Sequence, residues 1–246
     1  MSSAQRDSRS DDEDMSAKLA ALDQPAEVVG AAGEWLASRL RDDGFVWARS
    51  LAKLERRVGV RREQIHLQRS KWNRTGQLVE FGVVLNVRDG ALRKWRRANP
   101  DLTSCAEEND DWVCGHPLGA LTATRGWAQV DLTVPASRGD QLDAFVGLLR
   151  AVALPWFDAS RDPERIAVEV PDVTVSLYVV DLAEWLVCKG NQEQAVRLVE
   201  RWLAKDPGRQ PDFETGRALG HEGERPDIFM SQWVTVGWSS AVLGLV

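Results

Sequence analysis

The chain is poor in the residues that would mark several protein classes. Three cysteines in 246 residues are too few, and too irregularly spaced, for a disulfide framework, which points to a reducing, cytoplasmic setting. Only three histidines occur, His66, His116 and His221, and there is no Gly-x-Ser-x-Gly elbow, Gly-rich phosphate loop or His-Glu-x-x-His helix. No known catalytic or cofactor signature is therefore present, and no cofactor is expected. Prolines (10) and glycines (19) stand at ordinary levels, which excludes a fibrous or low-complexity chain. Residues 1–14 have no apolar run that could serve as a secretory core.

What is there fits a folded protein: 43% hydrophobic and 28% charged residues, enough to bury a core. The net charge of −6 hides a strong polarisation. Between Arg49 and Arg97 stand 14 basic and 4 acidic residues, while the remainder carries 17 basic and 33 acidic ones. Such a segment either steers an acidic partner or places solvated arginines on the outer face of strands. At the C-terminal end, residues 228–246 carry no charge. That length could just span a bilayer, but Ser231, Gln232, Thr235, Ser239 and Ser240 and the lack of a basic anchor disfavour a span, so a buried closing element is expected.

Hydrophobic spacing organises the rest. Val28, Ala32, Trp35, Leu36 and Leu40 form one stripe of a helix over 25–41, with Asp23 as its N-cap and Gly44 as its stop. From Phe45 to Val87 the pattern alternates with period two, predicting an antiparallel meander of three or four strands with a hairpin loop at Asn73, Arg74, Thr75 and Gly76. Residues 99–124 show little pattern and read as a long loop, followed by a strand over 127–134. Ser137 with Asp140, and Asn191 with Gln194, suggest capped helices ahead of Leu142, Phe145, Val146 and Leu149 and of Ala195, Leu198, Val199 and Trp202. Residues 173–188 have a composition that suits strand or helix and are assigned to a helix. The pattern Ala183, Leu186, Gly190, Ala195, Leu203, Pro207 is similar to one tetratricopeptide-type helix pair, which needs a neighbour to bury its face.

Several segments, in order, resemble a bacterial domain of unknown function, the one numbered 4304. These are Gln64-Ile-His-Leu-Gln-Arg-Ser-Lys-Trp-Asn73 with Phe81-Gly-Val-Val-Leu-Asn86, then Gly115-His-Pro-Leu-Gly-Ala-Leu121 with Gly126-Trp127, and then Leu142 to Leu149 with a Leu-Pro-aromatic break at Ala153-Leu-Pro-Trp-Phe157. The resemblance covers roughly residues 25–205. It departs at Pro117, where the family would have a basic residue. It implies a fold and no activity.

The expected architecture is α+β: an antiparallel sheet of four to six strands with helices packed on one face and a C-terminal helical hairpin. Residues 1–16 are expected to be a disordered acidic tail, 17–205 a single α+β domain, and 206–246 an extension with an apolar end. Cys105, Cys114 and His116, with Cys188 or His66, lack the tight pairing of structural zinc sites, so no metal is expected. His66 shares a strand face with Gln64 and Gln68, the position of a sheet-surface histidine.

The strand end Gln68-x-Ser70-Lys71-Trp72-Asn73 presents an amide, a hydroxyl, an ammonium and an aromatic plane together, a mix that suits a protein hot spot or a phosphate or base contact. Its structural alternative has Asn73 capping a turn, Trp72 covering a sheet edge and Lys71 in water. A second candidate is Arg93-Lys94-Trp95-Arg96-Arg97, a basic-aromatic run that could meet an acidic partner, with a solvated helix face as the alternative. Among the eleven tryptophans, Trp35, Trp185 and Trp202 fall on core stripes, while Trp72, Trp95 and Trp112 have polar surroundings. The leading functional expectation is a non-enzymatic module binding a protein partner. Nucleic-acid binding through 49–97 comes second, and an enzyme whose site is assembled from distant residues third.

Overall fold

The computed structural model describes residues 13–104, 110–123, 126, 128–227 and 230–245. The fold is α+β, as expected. Six strands form one antiparallel sheet: β1 (Val46–Ala48), β2 (Lys53–Val58), β3 (Arg61–Arg69), β4 (Glu80–Asp89), β5 (Trp112–Pro117) and β6 (Gln129–Asp131). Their order is β1-β2-β3-β4-β5, and β6 also pairs with β4, Phe81 facing Val130. The chain forms two compact units. Among the described residues, the first comprises those within 1–58, 63–85 and 117–155, and the second those within 59–62, 86–116 and 156–246.

In the first unit, α2 (Pro25–Arg39) buries the whole predicted stripe, and Gly44 (φ 85°) supplies the left-handed residue after it. Its N-cap is Gln24 and not Asp23, with no side-chain capping bond. α2 packs on β1, β2 and α4 (Arg138–Leu148), where the Trp35 indole donates to Asp143 at 2.9 Å. Phe81 and Phe145 meet edge to face in the core. A short helix, α1 (13–20), takes in residues 13–16 of the stretch expected to be a disordered tail; residues 1–12 lie outside the described residues. The reason is local. Leu19 is buried, and the buried Arg138 guanidinium donates to the Leu19 and Leu22 carbonyls at 2.8 and 2.7 Å, satisfying acceptors that a helix end leaves open.

Three helix-end expectations are corrected, one of them at Asn191, which makes no side-chain capping bond and whose amide donates to the Lys189 carbonyl instead. Ser137 precedes α4 but makes no capping bond, its hydroxyl donating to the Val134 carbonyl instead. The Leu-Pro-aromatic segment does not break the helix. The backbone runs on through a π-turn (Leu149–Ala153) into α5 (Leu154–Ala159), and the Leu154 N–H bonds the Leu149 carbonyl. That wider turn accommodates Pro155, whose missing N–H and bulky ring would disrupt a regular turn.

The second unit holds α3 (Gly90–Ala98), α6 (Pro163–Glu169), α7 (Asp172–Cys188), α8 (Gln192–Leu203), α9 (Gln210–Glu222) and α10 (Gln232–Val242). The ambiguous segment is helical, as α7, with a kink at Tyr178. The α7–α8 pair buries Leu182, Trp185, Leu198 and Trp202. A second pair, α9–α10, uses the uncharged C-terminal stretch. A Cβ on Gly216 would lie 1.9 Å from the Val234 carbonyl oxygen, and one on Gly237 2.0 Å from that of Phe213, so only glycine allows the two backbones this close. No helix among the described residues is long and apolar enough to cross a membrane. The presumed loop over 99–124 contains β5, which the sequence pattern did not reveal.

Candidate functional site

The Gln68–Asn73 cluster spans the end of β3 and the turn that follows it, in the first unit. Asn73 locks it: its amide donates to the Glu80 carbonyl at 2.8 Å, and its side-chain oxygen accepts from the Glu80 N–H at 2.9 Å. Ser70 accepts from the Trp72 N–H, and Gly76 (φ 71°) provides the left-handed turn residue. Trp72 stands 62% exposed with the Lys71 ammonium 4.9 Å from its ring, and Gln68, Lys71 and Arg74 are exposed around it. The turn reading of Asn73 thus holds together with an outward-facing indole.

The Arg93–Arg97 run does not form one basic surface. It lies on α3, where Lys94 and Arg97 are exposed and Trp95 is half-buried. Arg96 shares the inward face with Leu92 and is only 2% exposed, which corrects its reading as a surface contact residue. Its guanidinium donates to Glu184 at 2.6 Å and Asp181 at 2.7 Å, and Glu184, fully buried, also accepts from the Thr103 hydroxyl and the Ser104 N–H. Burial pushes the Asp181 carboxyl up to about 6 despite the pull of Arg96.

Arg93 belongs to a second centre with the opposite stoichiometry. The Asp111 carboxylate, 1% exposed, is bound by Arg62, by Arg88 at 2.8 Å and by Arg93 at 2.5 Å. Those arginines are 28%, 33% and 36% exposed, and Arg88 lies over the Trp112 ring at 5.1 Å. Burial would raise the Asp111 pKa, but the hydrogen bonds from Arg93, Arg88 and Arg62 outweigh it and hold it at about 2. Sequence reasoning missed Arg62, Arg88, Asp111, Asp181 and Glu184. One signal was available: Arg96 follows Leu92 by four residues, so it falls on that residue's buried stripe.

Other candidates are closed or mixed. His116 and Cys114 are buried on β5; His116 contacts the Thr174 hydroxyl at 2.7 Å, and burial lowers its pKa to about 4 and raises the Cys114 thiol to about 12. Cys105 lies outside the described residues, and among the described residues no group of three or more His, Cys, Asp or Glu is placed to hold a metal ion. His66 is half-buried beside the Gln64 amide. A shallow groove of about 580 Å³ beside α2 and β1 mixes Lys18, Arg49 and Arg69 with Glu27 and Glu34.

The fold and these features define the class: an α+β protein with an exposed tryptophan turn in one unit and an open arginine centre in the other. Comparison with models of protein families, with curated proteins and with solved structures found no match to the chain.

Proposed function

We propose that this protein is a non-enzymatic module that binds a partner protein, with Trp72 as the centre of the contact. The observation that carries this reading is the combination at the 70–76 turn: a large aromatic surface 62% exposed, on a loop fixed by the paired Asn73–Glu80 bonds. Rigid, exposed tryptophan beside cationic side chains is the chemistry of interface hot spots. The charge distribution supports the same reading over nucleic acid. Part of the positive charge of segment 49–97 is paired with carboxylates of the fold: Arg49 with Glu34, Lys53 and Arg57 with Glu55, Arg56 with Glu63 and Arg96 with two acids. A duplex needs an unspent basic track. The free thiols Cys114 and Cys188 support a reducing, cytoplasmic location. The resemblance to the 4304 domain carries no activity, and the proposal does not rest on it.

The test compares the immobilised full chain with its Trp72→Ala variant in a lysate of the source cells, followed by quantitative mass spectrometry of retained proteins. The substitution should leave stability within about 0.5 kcal/mol, while partner affinity drops by about 2 kcal/mol or more. Retention that survives the substitution, or that nuclease treatment abolishes, would overturn the proposal.

A further inference from the structure

The Asp111 centre has an unusual balance. Three guanidinium groups converge on one buried carboxylate, leaving a formal local charge of +2 at a surface where each arginine keeps about a third of its side chain in water. Each guanidinium uses one nitrogen on Asp111. An arginine carries five N–H donors in a planar fork, so most of the donors in this group remain. The Arg93 Nε is buried and has no hydrogen-bond partner among the described residues.

The three side chains are also held in place before any ligand arrives. Arg62 comes from β3, Arg88 from β4 and Arg93 from α3, so three separate elements fix their stems. The anchor is equally fixed, because the Asp111 carbonyl accepts from the Asp89 N–H at 2.7 Å, and Asp89 itself caps α3 through the Ala91 N–H. The Trp112 ring lies against the Arg88 guanidinium and limits its rotamers. Convergent like charges held by a shared counter-ion, with donors left over, make a preorganised cradle for an oxyanion.

We propose that Arg62, Arg88 and Arg93, braced by Asp111, form a binding site for a phosphate monoester. The +2 balance matches a dianion, and three forks match its three terminal oxygens. A phosphodiester, with one negative charge per unit, matches it less well, and the spent charges of segment 49–97 leave no track for a polyanion to follow. The site lies in the second unit and does not depend on the Trp72 reading, which concerns the first.

The experiment titrates the full chain with inorganic phosphate, a phosphoserine peptide, its unphosphorylated twin and a short DNA duplex, at constant ionic strength in phosphate-free buffer. Calorimetry and thermal shift are read together. Inorganic phosphate should give a saturable rise in Tm beyond that of chloride at equal ionic strength. Arg62→Gln and Arg88→Gln should each weaken phosphate binding at least about tenfold, and Arg57→Gln, outside the centre, should leave it unchanged. A phosphopeptide bound tighter than both its twin and free phosphate identifies a phosphorylated polypeptide as the source. Equal binding of phosphopeptide and free phosphate identifies a small phosphorylated molecule. No saturable shift in the wild-type chain, binding indifferent to Arg62→Gln and Arg88→Gln, or a duplex preferred over the phosphopeptide would each overturn the proposal. The wild-type titration decides even if a variant fails to fold.

Discussion

The second unit contains two ion centres built from the same residue types in inverse proportion. At one, a single arginine, Arg96, serves two carboxylates, and it is buried together with Glu184. At the other, a single carboxylate, Asp111, serves three arginines that stay partly in water. The first is closed: each of its three guanidinium nitrogens is engaged, with the Asp110 and Trp112 carbonyls accepting from Nη1. The second is open and holds more donors than its own acid can use. Burial, more than the count of ion pairs, separates a structural centre from one with capacity for a ligand. A buried charge must be matched inside the fold, whereas a half-exposed one can lean on solvent or on a visitor.

Removing Arg96 is the harshest test of that distinction. Arg96→Met keeps the apolar stem that packs beside Leu92 but leaves Asp181 and Glu184 facing each other without a cation. Breaking a buried pair by deleting one partner costs about 3–5 kcal/mol, so urea unfolding should show a loss of that order. Adding Asp181→Asn and Glu184→Gln to the same chain should recover most of it. A loss under about 1 kcal/mol would mean that the centre is as solvated as a surface pair.

Neutralising Asp111 comes next. Its carboxyl titrates at about 2 in the folded chain against an ordinary value near 3.8, so its contribution is complete above about pH 4 and is lost as the pH falls toward 2. The shift corresponds to about 2 kcal/mol. The stability difference between the wild type and Asp111→Asn should shrink as the pH falls from about 4 toward 2, read as a difference because Glu55, also held at about 2, titrates over the same window. Parallel curves would show that the three arginines do not hold the carboxylate.

These centres also mark the limit of what the amino-acid pattern reveals. The α2 stripe was legible because Val28, Ala32, Trp35, Leu36 and Leu40 keep one helical period, and the 73–76 hairpin because its turn residues carry their own geometry. Exposed Trp72 was legible too, since an indole among Ser, Lys and Asn has no apolar stripe to join. β5 was not. Its Trp-Val-Cys-Gly-His-Pro run is short and poor in strand formers, and pairing with β4 makes it a strand. Charge hides its partner in the same way. Arg96 and Glu184 are 88 positions apart, and Arg62, Arg88 and Arg93 meet Asp111 only because folding brings β3, β4, α3 and the start of β5 together.

The closed centre should also carry a pH dependence of opposite sign. Asp181 is raised to about 6, so the folded chain holds its proton more tightly than the unfolded one. Its contribution is complete below about pH 4 and is lost as the pH rises to about 6. His116, lowered to about 4, titrates over an overlapping range with the reverse sign, because the unfolded chain takes up its proton first as the pH falls. The Asp181 part must therefore be read as the difference between the wild type and Asp181→Asn. Between pH 4 and pH 7 the variant should gain on the wild type by roughly 1–2 kcal/mol, less than the full shift because the carboxylate is partly exposed. A constant difference would place the Asp181 pKa at an ordinary value.

The smallest effect belongs to the open centre's single arginines. Replace Arg62, Arg88 or Arg93 by glutamine one at a time, and Asp111 keeps two cations in each case. A partly exposed pair is worth about 0–1 kcal/mol, and each single variant should lose no more than that, with the loss shrinking as salt rises. The triple variant should lose far more than the sum of the three, because the last arginine to go leaves a buried carboxylate bare. Arg96 admits no such series: its one substitution removes everything at once. Urea titrations of the singles and the triple, at low and high salt, measure the redundancy directly. Additive losses would mean that each arginine acts alone and that Asp111 does not bind them into one unit. Small first losses followed by a steep last step would show that the centre can release one guanidinium toward a ligand at little cost to the fold.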